Sequence, residues 1–259
     1  MRSRTRPAPI GRPAPMTTPV CCDGAPDSAF DVAYATDKLA RYRAQGPDAS
    51  TRALLEAITL DDVSGRTLLD IGGGVGAVQH ELIERGVVSA QEVEASTAYV
   101  AACRTEATER GHAERIRHLA GDFASVLAQV QPADIVTLDR SVCCWPSPLE
   151  LIDQSAAMAR WRYGLVYPRD ARWVRYLWRP WGNLKQILKR SGLRLHTPRT
   201  ADIDRIMAVH GFSLRRWRAV GVWQIAVFAR EGRPGRGWRV PLPWGHEPCL
   251  LYTSDAADD

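Results

Sequence analysis

A glycine-rich stretch carries the residues with the most specific chemical meaning in this chain of 259 residues. It spans residues 70–76, with the sequence DIGGGVG, and lies between an apolar strand pattern and a helix pattern. Glycines let the backbone turn tightly and approach a ligand without a clash at Cβ. The first turn of the following helix offers unpaired N–H groups. Because ligands of open α/β sheets bind beyond the carboxyl ends of the strands, this loop predicts a small-molecule site.

Two kinds of cofactor fit a loop of this composition. Gly72, Gly74 and Ala77 also satisfy a dinucleotide-binding fingerprint, with Glu94 twenty residues beyond Gly74. Asp70 separates the two, since a pyrophosphate bound at the loop would meet a nearby carboxylate and be repelled. S-adenosylmethionine has no phosphate, and its methionyl part carries an ammonium that a carboxylate attracts. We therefore expect S-adenosylmethionine rather than a dinucleotide.

Alternating strand and helix patterns surround the loop and must position it. Repeated strand–helix units predict a parallel sheet with right-handed crossovers and helices on both faces. Two last strands that meet at Gly221 predict a hairpin. The expected fold class is α/β, a Rossmann-like seven-stranded sheet that is mostly parallel with a C-terminal antiparallel hairpin. The strands are predicted at residues 66–71, 91–94, 116–119, 133–138, 163–167, 212–219 and 222–229.

The loop also resembles a known motif. Asp70-x-Gly72-x-Gly74-x-Gly76 is similar to motif I of class I S-adenosylmethionine-dependent methyltransferases. The resemblance extends over about residues 30–230, in the order of strands and loops. It implies a methyltransferase that uses S-adenosylmethionine as its methyl donor.

The same resemblance assigns cofactor contacts further along the chain. It implies that Glu94, at the end of the second strand, binds the ribose hydroxyls. It also implies that Asp122 accepts from the adenine amino group, with Phe123 beside the ring. Two structural alternatives stay open, because Glu94 would also suit a solvated strand end and Asp122 would also suit the N-cap of a helix beginning at Phe123.

The acceptor in this fold sits above the fourth and fifth strands, so candidate catalytic residues follow those strands. Asp139 and His196 are candidate general bases for an acceptor that must lose a proton, and Tyr167 is a third catalytic candidate. Asp139 is also a candidate cofactor contact. A carboxylic acid acceptor needs no base, and Arg140 or Arg169 would then position it. For His196 the alternative is a surface residue with no part in the chemistry.

Residues 143–146, with the sequence CCWP, resemble a segment of an unnamed group of bacterial methyltransferases. The layout of the later strands resembles, more distantly, that of magnesium-protoporphyrin O-methyltransferases, but no porphyrin substrate is carried over. On an extended segment Cys143 and Cys144 would point in opposite directions and chelate poorly. We therefore expect buried free cysteines and no metal site.

An amphipathic insertion is predicted near residues 170–200. Apolar residues from Trp173 to Leu188 fall near helical spacing with arginines and lysines between them, and Pro180 and Gly182 are expected to break the helix into two pieces. A lid over an apolar substrate and a helix lying on an anionic membrane are the functional alternatives. The structural alternative, with no role in function, is a helix whose apolar face packs on the core.

Charge and aromatic content bear on the acceptor. Net charge is +5, and fifteen Lys or Arg residues between Arg160 and Arg218 face three acids. Such a surface suits an anionic substrate, an anionic membrane, nucleic acid or plain solvent. Six tryptophans from Trp161 to Trp223 favour a small or medium-sized, partly apolar acceptor over nucleic acid. A non-catalytic S-adenosylmethionine-binding regulator and a nucleic-acid methyltransferase are the alternative functions.

The two ends differ in composition from residues 26–230, the predicted methyltransferase domain. Residues 1–25 are rich in Pro and Arg and are predicted to be disordered. Residues 231–259 are predicted to be a tail, and within it 249–259 resembles translated sequencing adapter. No run approaches the ~20 apolar residues that span a bilayer. With no secreted cysteine framework, a soluble cytoplasmic protein is expected.

Overall fold

The computed structural model describes residues 25–230. The predicted disordered segment at residues 1–25, apart from its last residue, and the predicted tail at residues 231–259 lie outside the described residues. The helices are α1 Ala25–Ala29, α2 Val32–Gln45, α3 Ala49–Ile58, α4 Ala77–Glu84, α5 Thr97–Glu109, α6 Phe123–Val126, α7 Pro148–Met158, α8 Arg179–Leu188 and α9 Thr200–Val209. The strands are β1 Thr67–Ile71, β2 Ser89–Glu94, β3 Ile116–Ala120, β4 Ala133–Asp139, β5 Ala159–Pro168, β6 Phe212–Val220 and β7 Trp223–Arg230.

The seven strands form one sheet in the order β3-β2-β1-β4-β5-β7-β6. Strands β1 to β5 are parallel, and β7 is antiparallel to both β5 and β6. The predicted fold class is therefore confirmed, including the closing hairpin. The strand order reverses between β1 and β4, and a reversal of this kind opens a crevice at the carboxyl ends of the strands.

Helices cover both faces of the sheet and bury its apolar residues in two clusters. On one face, α7 and α9 contribute Ile152 and Met207 to the larger cluster. On the other, α3 and α4 contribute Leu54 and Leu82. Gly164 in β5 lets α3 approach closely, because a Cβ there would lie 2.8 Å from the Leu54 Cδ1. Close packing of the helices on both faces of the sheet fixes the positions of the strand ends, and therefore the shape of the crevice.

The segment between β5 and α9 differs from its prediction. Pro180 does not break the helix, because a π-helical turn at Val174–Trp178 runs directly into α8. Proline lacks an N–H and crowds the carbonyl four residues earlier, and the wider turn before it accommodates both effects. Within residues 25–230, no helix combines the length and the hydrophobicity that crossing a bilayer requires.

Candidate functional site

A cavity of about 660 Å³ lies at the carboxyl ends of β1, β2 and β4. One wall is the loop after β1, including Gly72 and Gly74, with Glu94 from β2. Other parts of the wall come from α2 and α3 and from the segment that follows β4. The volume is that of a site for a small organic ligand. A cavity is therefore present where the strand order reverses, as the loop sequence predicts.

The loop between β1 and α4 needs its glycines. Gly72 has φ of +72°, and a Cβ there would stand 2.3 Å from the Ser141 Cβ of the segment after β4. At Gly73 a Cβ would stand 2.5 Å from the Gln79 Nε2. Gly76 begins α4 with φ of +81° and lies behind the cavity wall. At Gly72 and Gly73 the backbone thus passes between Ser141 and the buried side chains with no room for a Cβ.

Asp70 lies beneath this loop rather than on the cavity wall. Its carboxylate is fully buried and accepts from the Thr137 hydroxyl at 2.7 Å and from the Gln79 amide at 3.2 Å. Burial raises the pKa of Asp70 to about 7, although these two hydrogen bonds oppose the rise. Asp70 therefore acts on the cavity through the shape of the loop and through its charge, not through direct contact.

Glu94 does line the cavity. One oxygen accepts from the Gly74 N–H at 3.1 Å and the other from the Ser96 N–H at 2.9 Å. Burial raises the pKa of Glu94 to about 7, and the nearby Glu92 adds to the rise. Each oxygen keeps a lone pair for a donor from a ligand. The alternative of a solvated strand-end acid does not hold, because Glu94 is 8% exposed.

A cluster of charged side chains at the end of β4 forms a further part of the wall. Asp139 accepts from the Thr51 hydroxyl at 2.5 Å and from the Arg140 Nε at 3.1 Å. Arg140 also donates to Asp48 at 2.6 Å and has a positive φ of 59°. The two carboxylates raise the pKa of Arg140 against the opposing effect of burial. Since two carboxylates pair with its one guanidinium, Arg140 is not free to bind an acceptor carboxylate.

The other two catalytic candidates do not line the cavity. Tyr167 in β5 is buried in the core, and its hydroxyl donates to Thr200 at 3.2 Å. Burial raises the pKa of that phenol. The backbone N–H of His196 donates to the Cys143 carbonyl at 2.7 Å. Burial lowers the pKa of the His196 ring. Of the three residues, only Asp139 meets the cavity.

The predicted adenine contacts lie at the start of α6. Asp122 accepts from the Ser125 N–H at 3.0 Å, which is an N-cap, and Phe123 is 1% exposed in the larger core cluster. Neither residue lines the cavity. The capping role considered from the sequence is therefore present, and the adenine contact stays a prediction.

The sequence analysis missed an aromatic cluster at the glycine-loop end of the cavity. The ring centroids of Phe30 and Tyr99 are 5.5 Å apart, and those of Phe30 and Tyr34 are 5.8 Å apart. Residues from the first helices and from α5 meet here, 65 or more positions apart in the chain. The sequence shows the three aromatic residues, but no local pattern indicates that Phe30 contacts Tyr99.

The two adjacent cysteines also differ from expectation. Cys143 and Cys144 lie on a short 3₁₀ turn at Val142–Cys144, not on an extended segment. Their sulfurs are 3.7 Å apart, and both residues line the cavity. Cys143 is buried, and its thiol donates to the Arg140 carbonyl at 3.2 Å. The pair therefore forms part of the wall beside the charge cluster.

A second polar cluster supports the loop from behind. One side-chain atom each of Glu92, Cys103 and His118, of a type that can bind a metal ion, lies within 4.8 Å of the other two. His118 is also hydrogen-bonded to Glu92. Cys103 lies 3.6 Å from the Gln79 side-chain oxygen. Gln79 in turn donates to Asp70. The cluster thereby fixes the side chain that holds Asp70 under the loop.

No protein-family model and no curated protein matches the sequence. Solved structures do match its fold. A magnesium protoporphyrin IX methyltransferase from Synechocystis PCC 6803 with bound SAH gives a TM-score of 0.59 at 18% identity, covering 79% of this chain and 100% of its own. An O-methyltransferase family protein from Burkholderia thailandensis gives 0.61 at 16% identity, covering 80% and 62%. A mitomycin 7-O-methyltransferase gives 0.56 at 19% identity, covering 79% and 60%. The chain has the class I methyltransferase fold.

Proposed function

We propose that the chain is an S-adenosylmethionine-dependent methyltransferase acting on a small or medium-sized, partly apolar acceptor. The observation that supports this most directly is the wall of Gly72, Gly74 and Glu94 at the carboxyl ends of β1 and β2. The Synechocystis methyltransferase of the same fold was crystallised with SAM and with SAH. The resemblance of the loop to motif I supports the same cofactor.

The residues of this wall fit S-adenosylmethionine better than a dinucleotide. Glu94 offers carboxylate lone pairs to hydroxyl donors, and Asp70 is buried behind the loop. A pyrophosphate held at the loop would therefore lie near the acid on the cavity wall and the acid behind it, and would be repelled by both. S-adenosylmethionine, when bound, supplies an electrophilic methyl group on a positively charged sulfur. The carboxylates of Glu94, Asp48 and Asp139 on the cavity wall suit that positive charge.

The protein would contribute to catalysis mainly by positioning the two reactants and by the shape of the cavity. Holding an acceptor close to a reactive methyl group and aligned with it accelerates transfer strongly. The aromatic rings of Phe30, Tyr34 and Tyr99 line one end of the cavity and would shape it around the cofactor. Asp139 is the candidate base for an acceptor that must lose a proton, because it alone of the three predicted catalytic residues lines the cavity.

The far end of the cavity supports an acceptor with apolar character. Trp145, Trp178, Leu195 and Trp223 line it. The rings of Trp178 and Trp223 meet edge to face, with centroids 5.7 Å apart. Large aromatic walls bind flat or apolar molecules through dispersion and burial. We therefore assign the acceptor to this end and the cofactor to the glycine-loop end.

Calorimetric titration tests the cofactor. SAH should bind the purified protein, and NAD should not. Glu94→Gln should weaken SAH about tenfold or more, because it removes a charged acceptor for hydroxyl donors. Glu114→Gln, an exposed change outside the cavity, is the matched control and should bind as the unaltered protein does. Binding of NAD without SAH would overturn the proposal.

A methyl-transfer screen tests the activity separately. The protein, with radiolabelled S-adenosylmethionine, is offered a metabolite extract and, in parallel, RNA and DNA. We expect label in small, organic-soluble products that depends on Asp139. Label in nucleic acid would favour a nucleic-acid methyltransferase. SAH binding with no product in any fraction would favour a non-catalytic regulator.

A further inference from the structure

Helix α8 is packed with its polar side toward the protein. Asn183 donates to the Leu195 carbonyl at 3.3 Å and accepts from the Leu195 N–H at 2.6 Å. Gly182, one position earlier, lies against the same residue, since a Cβ there would stand 2.5 Å from the Leu195 Cδ1. Gln186 accepts from the Ser191 hydroxyl at 2.8 Å. These contacts fix the rotation of the helix about its axis.

The opposite side of the same helical segment is apolar and faces solvent. It carries seven of the thirteen large apolar residues that are exposed among residues 26–230, so the exposure is concentrated and not scattered. Surface apolar residues are ordinarily dispersed, and a contiguous patch marks an interaction site. The positions recur every three or four residues, which places them on one face. They are Trp173, Tyr176, Leu177, Trp181, Leu184, Ile187 and Leu188, between 44% and 75% exposed.

The charged side chains within this segment all have one sign. No Asp or Glu occurs between Asp170 and Asp202, whereas Lys and Arg recur throughout. Asp170 is paired with Arg175. The Lys185 ammonium lies 5.3 Å from the centre of the Trp181 ring, at the edge of the apolar face. The cations of this stretch are Arg172, Arg175, Arg179, Lys185, Lys189, Arg190, Arg194 and Arg199.

We propose that this outward face, from Trp173 to Leu188, docks on an anionic lipid bilayer. An apolar strip with Trp and Tyr, flanked by Lys and Arg, is the pattern of a helix that lies in the membrane interface. The cations add attraction to anionic headgroups. A second copy of this chain is a poorer occupant, because two such faces would bring like charges together.

Docking would also bring the bilayer to the acceptor end of the cavity. Trp178, in the π-helical turn, and Leu195, which Asn183 holds, both line that cavity. An acceptor dissolved in the membrane would then reach the site along the docked segment. This last step rests on the proposed methyl transfer, whereas the docking itself does not.

Vesicle flotation tests the docking. The protein is mixed with vesicles of phosphatidylcholine alone, and with vesicles containing about 30 mol% phosphatidylglycerol. We expect binding to the anionic vesicles, weakened by added salt, with a blue shift of tryptophan fluorescence. The triple variant Trp181→Ser, Leu184→Ser, Leu188→Ser should bind about tenfold or more weakly. The control Leu60→Ser, Val209→Ser removes exposed apolar residues elsewhere and should bind normally.

Three results would overturn the docking. They are no binding of the unaltered protein to anionic vesicles, equal binding by the triple variant, or self-association that the triple variant abolishes while vesicles stay unbound. SAH affinity is measured on the same samples. The variant should retain it, since none of its three residues lines the cavity. Loss of docking and loss of cofactor binding are therefore distinguished.

Discussion

The glycine loop and helix α8 each invert the usual distribution of residues, but in opposite senses. Around the loop, the acids Asp70, Glu92 and Glu94 are buried, at 0%, 0% and 8% exposure. On α8, Trp181 and Leu188 are exposed at 59% and 75%. Buried acids are costly unless hydrogen-bonded, and exposed apolar patches are costly unless covered. Both inversions therefore indicate function, one toward a ligand inside the fold and one toward a surface outside it.

The two regions also differ in how tightly their surroundings hold them. Gln79 and Thr137 donate hydrogen bonds to Asp70. Cys103 in turn contacts Gln79, and His118 is hydrogen-bonded to Glu92. On α8, by contrast, Asn183 and Gln186 on the polar side make the hydrogen bonds, and the apolar side is exposed. Substitutions should therefore affect stability and binding together at the loop, but should separate these properties on α8.

The largest effect is expected at the loop. Gly72→Ala places a Cβ 2.3 Å from the Ser141 Cβ in a residue with φ of +72°. We expect SAH binding to be lost and unfolding to become easier by about 1–3 kcal/mol, because steric overlap adds to backbone strain. Calorimetry and thermal denaturation measure the two effects. Gly111→Ala is the matched control, with φ of +69° but nothing within 4 Å of its Cβ. If both variants lost the same stability and left SAH binding equal, backbone strain alone would explain the effect of Gly72→Ala, and the contact with Ser141 would play no part.

A smaller effect is expected when pH changes the ionisation of Glu94 and with it the affinity for SAH. Its pKa is raised from 4.5 to about 7 in the fold. The protonated form therefore stabilises the cofactor-free protein at pH below 4.5, and this contribution is lost as pH rises through about 7. A ligand whose hydroxyls donate to the carboxylate favours the ionised form. SAH affinity should thus rise about tenfold from pH 6 to pH 8.

Isothermal titration at several pH values measures this dependence. Glu94→Gln should flatten it, and Asp70→Asn should retain the part that belongs to Glu94. An affinity that falls as pH rises, or a pH profile unchanged in Glu94→Gln, would contradict the assignment of Glu94 to the ligand.

The smallest effect is expected on the outward face of α8. Leu188→Ser should change the free energy of unfolding by less than about 0.5 kcal/mol, since an exposed side chain loses no packing. Asn183→Ala on the inward face should cost about 1–2 kcal/mol, because it removes both hydrogen bonds to Leu195. Chemical denaturation compares the two. A larger loss for Leu188→Ser would mean that the apolar face packs on the protein.

Several features could be predicted from the sequence because their causes are local. The glycine loop, the strand patterns and the hairpin at Gly221 depend on backbone freedom and on alternation of period two. Helix α9 was missed, although Ile203 and Met207 stand four residues apart and are both buried. The weak prediction of β2 began two residues late, because its first residue, Ser89, is exposed.

The roles of individual side chains depended on tertiary structure. The sequence alone determined that an acid precedes three glycines after a strand, and that apolar and basic residues alternate at helical spacing beyond residue 170. Only the fold decided that Asp70 points to Thr137, 67 positions away, and not into the cavity. Only the fold decided, through the contact of Asn183 with Leu195, that α8 turns its apolar face outward. Periodicity defines the faces of an element, but the direction each face points is set by partners distant in sequence, which no local pattern encodes.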